Sequence, residues 1–150
     1  PLDLFERVVS INLVGTFNVT RLAAAAMATH PVRNGDRGVI VMTASVAGYE
    51  GQKGQAAYAA SKAGVIGLVL PMARDLATRG VRVVGIAPGT FSTPMLHGLT
   101  LEQVERLAAG VPHPQRLGEP DEFAAFVETV VDTSYLNGEV VRLDGALRLG

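Results

Sequence analysis

Two short apolar runs, Gly38-Val39-Ile40-Val41-Met42 and Val81-Arg82-Val83-Val84-Gly85-Ile86, limit most strongly how this chain can fold. The first is continuous and follows a polar turn, which marks a strand buried on both faces, as in a parallel sheet. Helical spacing from Ala56 to Arg79 separates the two runs. A third run, Glu139-Val140-Val141-Arg142-Leu143, follows the Asn137-Gly138 turn. Apolar strands alternating with long helices predict an α/β fold, three parallel strands with helices on both faces. Such sheets bind ligands outside the carboxyl ends of their strands. Here those ends are Thr43-Ala44-Ser45, Ala87-Pro88-Gly89 and Asp144-Gly145, and the chemistry is expected at the first two.

The helices carry readable boundaries. The first runs from Asp3 to about Thr29, with Asp3 and Glu6 as a capping box, and ends at His30-Pro31 before the Asn34-Gly35-Asp36 turn. Within it, Ala23 to Ala26 reads as packing surface and part of a subunit interface. The second ends at Gly80, and Pro71 inside it predicts a kink. Thr100 to about Ala109 is a short helix with Thr100 and Gln103 as its capping pair. Pro120 opens the last, to about Val131, at the favoured first position.

The chain has 150 residues, 48% hydrophobic and 18% charged, with a net charge of -1. That suffices for one folded domain and argues against nucleic acid as a partner, since no basic run appears. There is no cysteine, and His30, His97 and His113 lack metal-ligand spacing, so no metal is expected. No uninterrupted apolar run approaches the roughly 20 residues of a membrane span, and no membrane association is expected. Residue 1 is Pro and helical periodicity starts almost at once, so the chain reads as cut from something longer. With no targeting segment, the expected location is the cytoplasm.

Ser45 lies just past the first strand. Tyr58 and Lys62 lie one turn apart at the start of the next helix, so their side chains emerge on one face. A free tyrosine titrates near 10 and is a poor base at neutral pH. A neighbouring ammonium favours the phenolate, and a serine can hold a carbonyl oxygen by a hydrogen bond. This is proton-transfer machinery for alcohol oxidation or ketone reduction, and the hydride must go to a cofactor.

Tyr58-Ala59-Ala60-Ser61-Lys62 matches the Tyr-x-x-x-Lys motif, and Ser45 precedes it at the usual separation. On these residues the chain resembles the short-chain dehydrogenase/reductase family. The resemblance spans essentially all 150 residues and implies part of a Rossmann-type, doubly wound sheet. Asn12 matches the helix asparagine that completes the family's catalytic tetrad. Pro88-Gly89 and Thr93 match the segment that holds the nicotinamide. Asp144-Gly145 matches the terminal strand motif. Thr43-Ala44-Ser45-Val46-Ala47, Leu70 to Leu76 and Leu136 to Val140 look most like the type II 3-hydroxyacyl-CoA dehydrogenases, also called type 10 17β-hydroxysteroid dehydrogenases. That resemblance implies NAD as cofactor, with NADP left open, and acyl-CoA thioesters as substrates. It also implies a homotetramer.

By the same resemblance Thr43, Tyr58, Lys62, Pro88, Gly89, Phe91 and Thr93 contact the cofactor, and Ser45, Gln52 and Gln55 face the substrate. The family's N-terminal half, with its glycine-rich phosphate turn and its residue that selects NAD or NADP, is not in these 150 residues, so they read as a single partial domain. Gly48-x-x-Gly51-x-x-Gly54 has the wrong spacing to replace that turn and reads as a flexible loop at the substrate mouth. His97 reads as a surface residue of a lid. Two further readings stay open: an NADPH-dependent 3-oxoacyl-(acyl carrier protein) reductase, and a non-catalytic piece that only oligomerises.

Overall fold

The computed structural model describes residues 1–96 and 98–149; His97 lies outside them. The chain opens with α1 (Leu2–Val9), a π-helical turn (Ser10–Val14) and α2 (Gly15–Met27), which follow one another without a break. Next come β1 (Gly38–Thr43), α3 (Ala56–Ala77) and β2 (Val81–Pro88). α4 (Leu101–Ala109), α5 (Pro120–Asp132) and β3 (Val140–Leu143) complete the chain. The three strands form one parallel sheet in the order β1-β2-β3, with Gly38 opposite Val81 and Gly85 opposite Val140. The α/β sheet expected from the apolar runs is therefore present.

β2 is the centre of the core because its first seven residues are all buried. Val65, Val69 and Ala73 of α3, four residues apart, pack with Ile40 and Met42 of β1 and Val81 and Val83 of β2. Gly80, at φ +68, stops the polypeptide after α3 and accepts a hydrogen bond from Arg37 N–H, so it turns the chain directly into β2. α3 continues through Pro71 to Ala77 as one helix. The buried Val69 and Ala73 on either side of the proline hold both halves against the sheet.

One expectation is corrected. Asp3 is no cap: the helix starts at Leu2, with Pro1 preceding it, and Asp3 sits in the first turn. There its carboxylate faces the positive end of the helix dipole. Two helical stretches, Leu2–Met27 and Ala56–Ala77, are long and apolar enough to span a bilayer. Uninterrupted runs are too strict a measure, because Asn12, Asn18 and Arg21 interrupt the first stretch and Lys62 the second without removing its apolar character. α3 is accounted for as the core helix. The Thr100–Gln103 capping box forms with both hydrogen bonds, and Pro120 does open α5.

One charged side chain organises the underside of the sheet. Arg82 lies within the apolar run of β2 and is 5% exposed. Its Nε donates to Asp36 at 2.6 Å, and its two terminal nitrogens donate to the carbonyls of Val130, Val131 and Leu136 at 2.9–3.0 Å. It thus satisfies carbonyls left open at the end of α5 and ties them to β2. Replacing Arg82 by Ala leaves those carbonyls and Asp36 without their partner. The expected loss is about 3–5 kcal/mol of unfolding free energy in urea titration; an unchanged midpoint would contradict this role.

The start of α5 is held by a second pair. Arg116 donates to both carboxylate oxygens of Glu122 at 2.8 Å, and Glu122 also accepts from Glu119 N–H. The Arg116 guanidinium, then that N–H, lower the Glu122 carboxyl from its ordinary 4.5 to about 2. A depressed carboxyl stabilises the fold above its unfolded pKa, and that contribution is lost as pH falls from about 4.5 through about 2. NMR titration should find the Glu122 midpoint near 2, and Arg116→Ala should return it toward 4.5.

Candidate active site

The parallel register places the ends of β1 and β2 side by side: Thr43 lies opposite Ile86, and Ala44 N–H donates to Ile86 carbonyl at 2.7 Å. A cleft of about 880 Å³ opens beyond these ends. Ser45, Tyr58 and Lys62 all line it, as do Thr43, Pro88, Gly89, Phe91, Thr93, Gln52 and Gln55. Ten of the eleven residues singled out by sequence therefore meet in one cavity. The eleventh, Asn12, does not line it.

Ser45 is buried, with extended backbone, and caps the short turn Val46–Gly48. Its Oγ accepts from Ala47 N–H at 3.1 Å. That bond uses a lone pair and leaves the hydroxyl proton free to be donated into the cleft. Capping and hydrogen-bond donation are thus compatible in this one side chain.

Lys62 Nζ donates to the Thr43 carbonyl at 2.9 Å and lies 5.8 Å from the centre of the Tyr58 ring. The last carbonyl of β1 therefore sets where the ammonium sits. Burial pushes the Lys62 ammonium below its ordinary pKa, since a low dielectric disfavours charge. The ammonium therefore sits beside the phenol ring at the floor of the cleft.

Asn12 sits in the π-helical turn. Its side-chain amide donates to Ser61 Oγ at 3.1 Å, and Ser61 Oγ donates to the Tyr58 carbonyl at 2.7 Å. Ser61 is fully buried. Asn12 therefore braces the start of α3 through Ser61, which stands between Tyr58 and Lys62. π-helical turns are rare and cluster at functional sites. Ser61 was missed by the sequence reading, although it stands inside the Tyr-x-x-x-Lys motif.

The loop from Ser45 to Tyr58 packs against α3 at two of its glycines, while residues 51–54 are exposed. A Cβ on Gly48 would lie 2.9 Å from Ala63 N and from Lys62 carbonyl carbon, and 2.7 Å from Ile66. A Cβ on Gly51 would lie 2.6 Å from that of Ala59. These glycines let the loop touch α3; they do not form a phosphate cradle. Gly89 is constrained similarly, since its Cβ would meet Asp144 at 2.9 Å. Phe91 packs edge-on against Phe123 at 6.0 Å while also lining the cleft. The cleft's far wall brings in residues no motif marked, among them Met95, Arg106, Leu107 and Arg148. Among the described residues no group of three or more His, Asp or Glu could hold a metal ion.

Gly48→Ala should force the loop away from the Lys62 backbone. The expected result is a loss of thermal stability together with a shift of the Ser45 and Lys62 backbone NMR signals. Unperturbed Lys62 signals would show that the close approach is dispensable.

The short chain dehydrogenase family model matches residues 1–104. The chain is 57% identical over 149 residues to the 3-hydroxyacyl-CoA dehydrogenase type-2 of Drosophila melanogaster, covering 99% of this chain and 58% of that protein. The crystal structure of 3-hydroxyacyl-CoA dehydrogenase type-2 from Mycobacterium avium superposes with a TM-score of 0.97 at 51% identity, over 100% of this chain and 58% of that one. A 3-oxoacyl-[acyl-carrier protein] reductase with bound NAD from Brucella melitensis superposes at 0.83 with 33% identity, over 100% of this chain and 54% of that one. The chain thus spans a little over half the length of these relatives.

Proposed function

Because this chain belongs to the short-chain dehydrogenase family, we propose that it carries the proton-transfer site of an NAD-dependent oxidoreductase acting on 3-hydroxyacyl-CoA thioesters. The observation that carries this reading is the meeting of Ser45, Tyr58 and Lys62 in one cleft, with the ammonium 5.8 Å from the phenol ring. The identity of 57% and 51% to two 3-hydroxyacyl-CoA dehydrogenases, against 33% to the carrier-protein reductase, supports the acyl-CoA class over the alternative.

The cleft suits a nicotinamide dinucleotide. It combines apolar side chains such as Phe91 and Leu96 with the hydroxyl of Thr93 and the Lys62 ammonium, the mixture that a flat ring on a ribose requires. When bound, that cofactor supplies the hydride acceptor that no side chain can provide. The Pro88–Thr93 segment would flank it, and Lys62 would reach its ribose hydroxyls.

The protein's own residues do the rest. The substrate hydroxyl lies between Ser45 and Tyr58. Ser45 donates a hydrogen bond to the substrate oxygen and orients it. Tyr58 takes the hydroxyl proton as the carbonyl forms, and the Lys62 ammonium, held beside the ring, offsets the charge that moves in that step. In the reverse direction Tyr58 returns the proton. Gln52 and Gln55, at the cleft mouth, contact the substrate's outer part. Ile11, Val19 and Leu22, exposed on the first helical stretch, support a self-associating surface and hence an oligomer.

Tyr58→Phe removes the proton acceptor and preserves the ring. In the full-length protein it should lower kcat for NADH formation from a 3-hydroxyacyl-CoA by about 10²–10⁴-fold, with Lys62→Met acting in the same direction. Undiminished turnover by Tyr58→Phe would sink this reading.

A further inference from the structure

The cleft's charge is opposite in sign to that of the chain. Over 150 residues, 14 Asp and Glu outnumber 13 Lys and Arg. The described residues lining the cleft include three cations, Lys62, Arg106 and Arg148, and no carboxylate. Lys62 is already committed to Thr43 and Tyr58. The two arginines have no part in the proton transfer. They approach from different elements, Arg106 from α4 and Arg148 from the segment after β3.

Their present partners are weak or shared. Among the described residues Arg106 pairs with Glu102, on the same helix, at 3.2 Å, and the two side chains are 78% and 82% exposed. Such a pair contributes little and yields readily to a stronger anion. Arg148 is 60% exposed; it reaches Glu50 at 3.5 Å and Asp144 at 3.3 Å, and donates at 2.7 Å to the Leu147 carbonyl, which Arg142 also uses. Both of those carboxylates are already held by Arg142, at 2.8 and 2.7 Å. Arg148 therefore adds little to a network that is closed without it. The same cleft is also lined by the apolar side chains of Leu107, Leu147 and Leu149. A cationic rim on an apolar wall fits a ligand with an apolar body and a phosphorylated end. Guanidinium is the side chain best shaped to take a phosphate by two parallel hydrogen bonds.

We propose that Arg106 and Arg148 form a phosphate clamp at the rim of the cleft that binds the phosphorylated carrier of a thioester substrate and so sets the preference for carrier-linked over free substrates. This rests on the hydroxyacyl thioester reading above. The same chemistry, a phosphate, could come from the dinucleotide, and the test separates the two sources. Full-length protein is assayed with 3-hydroxybutyryl-CoA and with the matching N-acetylcysteamine thioester, which keeps the hydroxyl and thioester but has no phosphate.

In Arg106→Gln the ratio of kcat/KM for the two substrates should fall about ten-fold, the size of a lost charge-assisted contact. Arg106→Lys should restore part of it, and Arg148→Gln should lower it as well. Arg106 is on the surface, so its variant tests the proposal even if Arg148→Gln disturbs the fold. An unmoved ratio overturns the clamp. So does a rise in KM for the dinucleotide with the thioester ratio unchanged, which would assign the arginines to the cofactor's phosphates. Wild-type protein that turns over neither thioester would sink the hydroxyacyl reading and the clamp with it; turnover of both with an unmoved ratio would sink the clamp alone.

Discussion

The pairing of β1 with β2 is the constraint on which the rest depends. It fixes Thr43 beside Ile86 and brings the two strand ends to one level. The Thr43 carbonyl, left over at the end of the ladder, becomes the acceptor that locates Lys62 Nζ. The same ladder continues one step further, to Ala44 N–H and Ile86 carbonyl, and so delivers Ser45 to the cleft. A one-residue slip would turn every side chain of β1 to the opposite face. It would expose Ile40 and Met42 and also displace the Lys62 anchor. Folding energy and site geometry thus share one register.

Much of this was legible in the sequence because it follows from local periodicity. The apolar runs revealed the strands, and the spacing of Tyr58 and Lys62 put both on one helical face. Ser45 was readable from its place at a strand end. The Gly80 stop and the Thr100 cap depend only on residues next to them in the chain. Boundaries moved little: β2 continues past Ile86 through Ala87 and Pro88, because both still pair with β3. A proline is tolerated there because it ends the strand.

What escaped the sequence depends on distant partners. Arg82 stands within the second apolar run, and nothing near it in the sequence announces that its partners lie 46 to 54 residues away. Gly48 and Gly51 looked like flexible loop glycines; only the approach of α3 shows that they are needed for contact. Asn12 was recognised, but its side chain meets Ser61 and not the cleft. The relation between those two rests on a π-helical turn that no side-chain pattern encodes. Arg106 belongs to no motif, and its position on the cleft wall arises from where α4 packs.

The separation between Ser45 and Tyr58 shows how distant contacts make a motif work. Thirteen positions of chain could hold many geometries, so spacing alone does not bring a serine to a tyrosine. Here the loop is secured on two sides. Gly48 and Gly51 seat it against α3. Glu50 accepts from Arg142 of β3 and from Leu149 N–H, which fastens it to the end of the chain. Arg142 also stacks on Tyr49 at 5.4 Å and donates to Asp144 and to the Leu147 carbonyl. Asp144 in turn abuts Gly89, the residue after β2. The loop bearing Ser45, the end of β2 and the segment after β3 are therefore one connected assembly. β3 contributes no member of the Ser45, Tyr58 and Lys62 set, yet its Arg142 is the side chain that joins the loop to the end of the sheet. Removing a contact on β3 acts on the site through the loop, because the geometry of Ser45 relative to Tyr58 is a property of the packed loop and not of the residue count between them.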